Sequence, residues 1–508
     1  MIKKQKILII VLSVLFAALI VGYFAVIKPI VDREEPQETT APVETEAAGE
    51  VVGFNDRILM FEHTEKKDIR SIEVHNNYGT YTFYRDADDN FQIKGFEGIV
   101  FDQELMSSLV VSAGYTLSMA KVDDPVSMEE YGLVKMTQED GTVWEPAWYK
   151  LTTKTGIEHV VYIGYPLVTE GGYYAKYAGR SEVYVLNTDL AKTILAPIED
   201  MVTPMAVWPM AMNNYFTVDN FVLMEGEEIR IAIGYNSEEQ RVGEFSNQVY
   251  HMIEPEGYNV SSIGYDAVLQ TLYSSTPLRC IKLGITDEAL MKYGLDNPAY
   301  SLYFEFPDPE LGQVIENLVL ISARNASGNY YIASGLFNQI IEVAGIDWDF
   351  LTWDFIDWVD APIFQRNIDY VREIRVESPN FSETYLLEGK GQALVVTQKS
   401  NGRKPDVPNF RQFYKTLLTA SIEGNMPAEM TEADLTALAT PANCQLTLTI
   451  ITDSTTLEYK LYPYTERRSY LTINGDGRFY MLRSMADKII ADADRVTRDE
   501  PINSEGKY

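Results

Sequence analysis

Hydrophobic and polar residues alternate in paired short segments that recur along the chain. Ile69–Val74 and Thr80–Tyr84 alternate on either side of Asn76–Gly79, a stretch of turn residues. Alternation indicates strands with one buried face, and turn residues between two such runs indicate a hairpin. Two further pairs of strand-like segments follow, Phe221–Met224 with Ile229–Ile233 around Glu225–Glu227, and Val371–Glu377 with Thr384–Leu387. The sequence therefore predicts three opening hairpins.

A longer helix is predicted after each hairpin. Asp102 is suited to cap the first, which we expect to run to about Leu117 with Leu105, Leu109 and Val110 on its apolar face. The corresponding helices are expected near Tyr265–Tyr273 and at Phe410–Leu418. Further alternating segments follow, so strands come after each helix.

A short helix with a distinctive end lies between each long helix and the later strands. In the second case Thr286 is the predicted cap, and the helix ends at Tyr293-Gly294-Leu295-Asp296-Asn297-Pro298. Glycine adopts the left-handed conformation that ends a helix, and a following proline prevents its continuation. Related signatures are Tyr131-Gly132-Leu133 after the capping-box pattern Ser127–Glu130, and Leu438-Ala439-Thr440-Pro441 after Thr431.

The recurrence predicts three copies of one unit, at 54–212, 213–364 and 365–500, followed by a tail at 501–508. Each is expected to be an α+β module in the order hairpin, helix, short helix ending in the signature, strands and closing helix. The predicted fold class is therefore α+β, with an N-terminal transmembrane helix before the modules. A repeated fold does not by itself specify an activity.

The start of the chain predicts a membrane anchor. Ile7–Ile27 is uncharged, long enough to cross the ~30 Å hydrocarbon layer, and preceded by Lys3, Lys4 and Lys6. We therefore expect residues 1–6 in the cytoplasm, a single pass at 7–27 and the bulk of the chain outside the cell membrane. A cleaved signal peptide is the alternative, but its apolar region is usually shorter. Residues 28–53 form an acidic Thr- and Pro-containing spacer that is expected to be extended.

Composition narrows the choice of partners. The 508 residues include 74 acidic and 42 basic side chains, a net charge of −32, which disfavours nucleic acid as a partner. The chain has two cysteines, Cys280 and Cys444, so neither a disulfide framework nor a cysteine-based metal site is expected.

Candidate chemistry in the sequence is sparse. Asp86, Asp88, Asn90 and Glu97 imitate the ligand spacing of an EF-hand, but Phe91 stands where that loop needs glycine, and a β-turn explains the same residues. The four histidines, His63, His75, His159 and His251, lack metal-ligand spacing. No nucleophile elbow, phosphate-binding loop or dinucleotide fingerprint is found, so neither catalytic residues nor a cofactor or metal is predicted.

Three tryptophans near the end of the second unit offer two interpretations. Trp348, Trp353 and Trp358 alternate with aspartates, and their spacing does not place them on one helical stripe. They belong either to a closing helix packed beneath the next unit or to an exposed aromatic surface for a partner protein or a glycan.

The order anchor, acidic spacer and repeated helix–Tyr-Gly-Leu–Pro–strand units resembles the bacterial DUF4340 family of membrane-anchored proteins. The residues that carry the resemblance are Tyr131, Gly132 and Leu133, then Tyr293, Gly294, Leu295 and Pro298, and Pro441 more weakly, because alanine replaces glycine there. Such proteins often accompany ABC-type permeases and ATPases of the gliding-associated kind. The resemblance implies an extracytoplasmic accessory subunit and assigns no catalytic residues.

The sequence therefore predicts a non-enzymatic, membrane-anchored extracytoplasmic accessory or scaffold protein of a cell-envelope complex. An ABC-type permease and its ATPase are the expected partners, besides the membrane itself. The alternative is a cell-wall glycan-binding module or a glycoside hydrolase, which would bring exposed aromatics and two converging carboxylates into one cleft.

Overall fold

Strands make up most of the secondary structure in the computed structural model, which describes residues 50–52, 57–87, 89–96, 99–169, 171–205, 218–308 and 312–502. They form three large antiparallel sheets and one two-stranded sheet. The predicted α+β class is therefore wrong, and the described fold is predominantly antiparallel β. The reason is that alternating segments fill most of each unit, whereas helical segments are few and mostly short.

The first sheet has ten strands, and a separate hairpin is inserted in it. The strands up to residue 187 are β1 Val51–Val52, β2 Ile58–Leu59, β3 Ile69–Asn76, β4 Gly79–Arg85, β5 Phe91–Ile93, β6 Leu117–Lys121, the separate pair β7 Met136–Thr137 and β8 Val143–Trp144, then β9 Ala147–Thr153, β10 Glu158–Pro166, β11 Gly172–Tyr177 and β12 Tyr184–Asn187. Their order in the large sheet is β5-β4-β3-β9-β10-β11-β12-β6-β2-β1.

The second and third sheets have eight strands each. The second contains β13 Asn220–Glu225, β14 Glu228–Tyr235, β15 Tyr250–Glu254, β16 Arg279–Leu283, β17 Tyr300–Asp308, β18 Gln313–Ile321, β19 Tyr330–Ser334 and β20 Gln339–Val343. The third contains β21 Val371–Ser378, β22 Phe381–Glu388, β23 Val395–Gln398, β24 Gly424–Asn425, β25 Leu446–Thr452, β26 Thr456–Pro463, β27 Arg468–Ile473 and β28 Asp476–Leu482.

The three large sheets share one strand order. The second runs β15-β14-β13-β17-β18-β19-β20-β16 and the third β23-β22-β21-β25-β26-β27-β28-β24. When the strands of each unit are counted in chain order, both sheets run third, second, first, fifth, sixth, seventh, eighth. The fourth strand then pairs with the eighth and forms the far edge. The first sheet repeats this order and adds β2 and β1 beyond β6. Strands β2–β12, β13–β20 and β21–β28 fall within 54–212, 213–364 and 365–500, respectively.

Four of the described α-helices have twelve or more residues, and the others are short. The helices are α1 Gln103–Gly114, α2 Thr188–Leu195, α3 Glu238–Val242, α4 Ser262–Ser274, α5 Asp287–Tyr293, α6 Val407–Leu418, α7 Glu432–Leu438 and α8 Arg483–Arg498. The caps expected at Asp102, Thr286 and Thr431 each accept a backbone N–H. These bonds satisfy some of the backbone N–H groups in the first turn, which have no acceptor within the helix.

Several predicted helices differ from the observed ones. Helix α1 ends at Gly114, because Leu117 already belongs to strand β6, where it pairs with Leu59. Leu105 points outward and is 46% exposed, so it does not belong to the buried face. The predicted short helix of the first unit is a series of turns around 128–132, and the predicted closing helix of the second unit is a pair of 3₁₀ turns at Asp349–Thr352 and Phe355–Trp358.

Helices cover one face of each sheet and enclose two large cores. Helices α1 and α2 pack over the first sheet, and their Leu109 and Ile194 share a core with Leu151 of β9 and with Cys280 and Leu283 of β16. Helices α4, α6 and α8 contribute to a second core, whose residues come from both the second and the third unit, from Val218 to Ile502. The second and third sheets therefore share one core, whereas the first sheet has its own.

Side chains of the second and third units contact each other at the shared core. Tyr258 packs edge-on against Phe479 at 5.7 Å and donates to an Asp476 carboxylate oxygen at 3.0 Å. Buried Arg366 lies over the Phe245 ring at 4.6 Å, and burial lowers the pKa of this guanidinium. These contacts fix the position of the second sheet relative to the third.

In the part of the chain that the structure describes, no helix is both long and apolar enough to cross a membrane. The anchor predicted at 7–27 lies outside the described residues, as do residues 28–49 of the predicted spacer and 503–508 of the tail. Only Glu50, Val51 and Val52 at the end of the spacer are described, and they lead into the edge of the first sheet.

Candidate functional site

The outer face of the first sheet, opposite its helices, carries a group of half-exposed aromatic rings. We call Tyr131, Trp144, Tyr165 and Tyr174 the aromatic face. The Tyr131 and Tyr174 ring centroids are 4.8 Å apart, and those of Trp144 and Tyr165 are 4.5 Å apart. Both pairs are tilted, and all four side chains are half-buried.

The inserted hairpin β7–β8 brings Trp144 to this face. The Trp144 indole Nε1 donates to the carbonyl of Gly132 at 2.8 Å. Gln138, on the hairpin loop, donates to the Tyr165 hydroxyl at 3.4 Å. The hairpin is therefore attached to the sheet through the signature turn and through β10.

Two glycines allow the signature turn to lie directly on the sheet. Gly132 has a φ of +66°, and a Cβ there would lie 2.9 Å from the Tyr165 ring. A Cβ at Gly164 in β10 would lie 2.1 Å from the Tyr131 carbonyl oxygen, which accepts the Tyr165 N–H at 2.9 Å. A side chain at either position would push the turn away from the strand.

Charged side chains border the aromatic face. Glu145 at the end of the hairpin pairs with Lys135 at 2.8 Å and lies 4.0 Å from His75 Nε2. The His75 ring in turn stacks on Trp148 at 5.5 Å. Exposed carboxylates lie along the turn and the hairpin loop, and we call them the acidic rim: Asp123, Asp124, Glu129, Glu130, Glu139 and Asp140.

The signature residues occupy similar positions in the second unit. Gly294 has a φ of +68°, Leu295 is buried, and the Tyr293 ring lies 5.0 Å from Tyr331 of β19. Pro298 is half-buried just before β17. In the third unit Ala439 has a φ of −80°, and Pro441 starts a 3₁₀ turn. The signature is thus a packing element on the outer face of each sheet.

The three tryptophans do not form an exposed surface. Trp348 and Trp358 are buried, with 0% and 1% exposure, and Trp353 packs against the same core. Of the two interpretations, the exposed patch is wrong, because the 3₁₀ turns direct the indoles inward. The aspartates between them point outward instead.

The other candidate residues lie apart. Asp86 and Asn90 exchange hydrogen bonds across the turn between β4 and β5, while Asp88 and Glu97 are outside the described residues. Burial lowers the pKa of His159 and of His251 to about 4 and raises that of Cys280 to about 12. Cys280 and Cys444 are unbridged. The described residues contain no cluster of three or more His, Cys, Asp or Glu placed to hold a metal ion.

Sequence reasoning did not identify the aromatic face. Its members are separated by up to 43 positions and meet only through strand pairing and the hairpin. The interval between the signature and the next strand of the large sheet could have indicated it, because it covers 133–146 in the first unit but only 295–299 and 440–445 in the others.

The chain matches no protein-family model, no curated protein and no solved structure.

Proposed function

We propose that this protein is a non-enzymatic accessory or scaffold subunit of a membrane complex, held outside the cell membrane by a single N-terminal anchor. An ABC-type transporter is the proposed complex. The observation that carries the proposal is the three sheets of one strand order, two of which share a continuous core. Such an arrangement offers several sheet faces on which other subunits can assemble.

Two features of the sequence support the location. Ile7–Ile27 is uncharged and follows three lysines, which favours an N-terminus in the cytoplasm. The acidic spacer after it would separate the sheets from the membrane surface. The net charge of −32 would keep them soluble there and away from anionic lipid.

The test is recovery of the full-length protein from its native membrane in a mild detergent, with mass spectrometry of the co-purifying proteins. We expect a multi-span permease and an ATPase in near-stoichiometric amounts. Residues 1–53 alone, carrying the same tag, serve as the control and should recover neither. Recovery of the full-length protein without partner subunits would contradict the proposal.

Glycan binding is the second candidate, and the half-exposed rings of the aromatic face favour it, because sugar rings stack on such side chains. The measurement is co-sedimentation of the protein with isolated cell wall, alongside assay of released reducing sugars. Binding without release would support a glycan-binding module, and release would support a hydrolase.

A further inference from the structure

The segment that carries the hairpin has an unusually one-sided charge. Residues 123–145 contain seven carboxylates and a single basic side chain, Lys135, which is already paired with Glu145. Six of the carboxylates form the acidic rim and are exposed. Exposed carboxylates beside a recognition surface attract a positively charged partner.

The aromatic face beside this rim also suits cations. An ammonium or guanidinium group is attracted to the face of a tyrosine or tryptophan ring. The same sheet already holds two such contacts, with Lys176 over the Tyr162 ring at 5.0 Å and Arg180 over the Tyr177 ring at 4.5 Å. Among the described residues, no Lys or Arg lies over the rings of Trp144, Tyr131, Tyr165 and Tyr174, which remain half-exposed.

Within the part of the chain that the structure describes, the first of the three units alone has this combination. In the second unit the signature turn leads to β17 through 295–299, and in the third it leads to β25 through 440–445. Both intervals are too short for a hairpin of this kind. The scaffold is thus repeated, whereas the aromatic face and its rim are specific to the first unit.

We propose that the aromatic face and the acidic rim together dock a lysine- and arginine-rich segment of a partner protein. Cationic side chains would lie over the exposed parts of the Trp144 and tyrosine rings, and the rim carboxylates would pair with neighbouring charges. Anionic lipid and nucleic acid are repelled by the rim, and a neutral glycan has no charge for it to pair with. The assignment rests on the accessory role proposed above and specifies the chemistry of the partner.

The test uses the full-length protein in detergent and a fluorescent twelve-residue peptide that alternates Lys, Arg and Gly, followed by fluorescence anisotropy. We expect binding that weakens about tenfold between 50 and 200 mM salt. The double variant Glu130→Lys/Glu139→Lys should weaken it by a further factor of about ten. Trp144→Ala should also weaken it, with circular dichroism to verify folding.

The matched control is Glu227→Lys/Glu228→Lys, which makes the same charge change on the exposed β13–β14 turn of the second unit. It should alter the affinity less than twofold. Equal weakening by both double variants would mean non-specific attraction to an acidic protein and would overturn the site. Binding of neutral cell-wall glycan, but not of the peptide, in a Trp144-dependent manner would also overturn it.

The two proposals can fail separately. If partner subunits co-purify but the peptide does not bind, the docking site is wrong and the accessory role stands. If the peptide binds with the expected variant pattern but no partner co-purifies from the membrane, the accessory role is wrong and the docking site stands.

Discussion

Gly132 and Gly294 hold the same backbone conformation at the same point of two units. The N–H of the next residue reaches back to the carbonyl five positions earlier, Leu133 to Met128 at 3.0 Å and Leu295 to Leu290 at 2.8 Å. This is the bond expected when a left-handed residue ends a helical turn. Ala439 has a negative φ and its own N–H bonds to Leu435 instead, so the third unit ends its helix differently.

Replacing these glycines should therefore be costly to different degrees. A Cβ at Gly294 would have no described atom within 4 Å, so Gly294→Ala should lower the free energy of unfolding by about 1 kcal/mol through the unfavourable backbone conformation alone. Gly132→Ala adds a clash with Tyr165, and we expect a larger loss. The measurement is the denaturant midpoint of the purified protein. Ala439→Gly is the control and should lower stability by less than either; equal effects at all three positions would refute the argument.

His159 should make the first unit sensitive to acid. Its ring stacks on Phe61 at 4.1 Å and shares a hydrogen bond with the Tyr177 hydroxyl at 3.0 Å. Burial lowers its pKa to about 4, against an ordinary value of 6.5. Between these values the unfolded chain takes up a proton that the folded chain does not. Stability therefore falls as the pH is lowered from 6.5 to 4, by at most about 3 kcal/mol.

The measurement for His159 is the thermal midpoint at several pH values between 7 and 4. His159→Gln should reduce the fall in midpoint over that window, whatever its effect at neutral pH. His63 is exposed, so His63→Gln should leave the fall as it is in the parent protein. An unchanged fall in the His159 variant would contradict the assignment.

At the scale of elements, the segment that contains the three tryptophans forms two 3₁₀ turns where the sequence predicts one helix. Trp348, Phe350 and Trp358 turn into the core, and consecutive 3₁₀ turns replace a continuous helix. Arg230 on β14 donates to the carbonyl oxygens of Leu351 at 2.6 Å and of Trp353 at 2.7 Å. One guanidinium thus satisfies two carbonyls that a helix would have satisfied internally.

Arg230→Met should loosen this segment without removing its apolar anchors. It leaves two half-buried carbonyls without their donor, and we expect a loss of about 2 kcal/mol. Hydrogen exchange of peptides covering 349–358 should become faster. Arg230→Lys keeps the positive charge but lacks the two N–H groups that donate to the two carbonyls. Its exchange rate should therefore lie between those of the parent protein and Arg230→Met. Unchanged exchange in the methionine variant would show that the indoles alone hold the segment.

At the scale of the whole molecule, the two large cores predict two cooperative units. The second and third sheets share one core, and the first sheet has another with a minor contribution from β16. Residues that share a core lose their packing together, so units two and three should unfold as one body.

Trp358→Ala and Leu151→Ala test this division. Trp358→Ala should lower the free energy of unfolding by about 3–5 kcal/mol. Peptides from both 218–364 and 371–502 should then undergo hydrogen exchange at a lower denaturant concentration than in the parent protein. Leu151→Ala should affect peptides from 57–205 first. If Trp358→Ala sensitised only the second sheet, the shared core would not be a cooperative unit.

Local signals in the sequence anticipated individual elements well. The hairpins β3–β4, β13–β14 and β21–β22, helix α4 and the caps at Asp102, Thr286 and Thr431 all follow from alternation, spacing and side-chain oxygen at a helix start. Strand β6 inside the first sheet and the edge strands β16 and β24 do not follow from the sequence pattern. They are short, and what defines them is their partner strand and not their own pattern.

The sequence by itself determined the alternation that makes strands, the three recurring signatures and the strong negative charge, because each is a local or summed property of the chain. Tertiary structure alone decided the fold class, the shared core of the second and third sheets, the burial of the tryptophans and the assembly of the aromatic face. These depend on which strands pair and which faces meet. Residues such as Tyr131 and Tyr174 become neighbours only through contacts between distant parts of the chain.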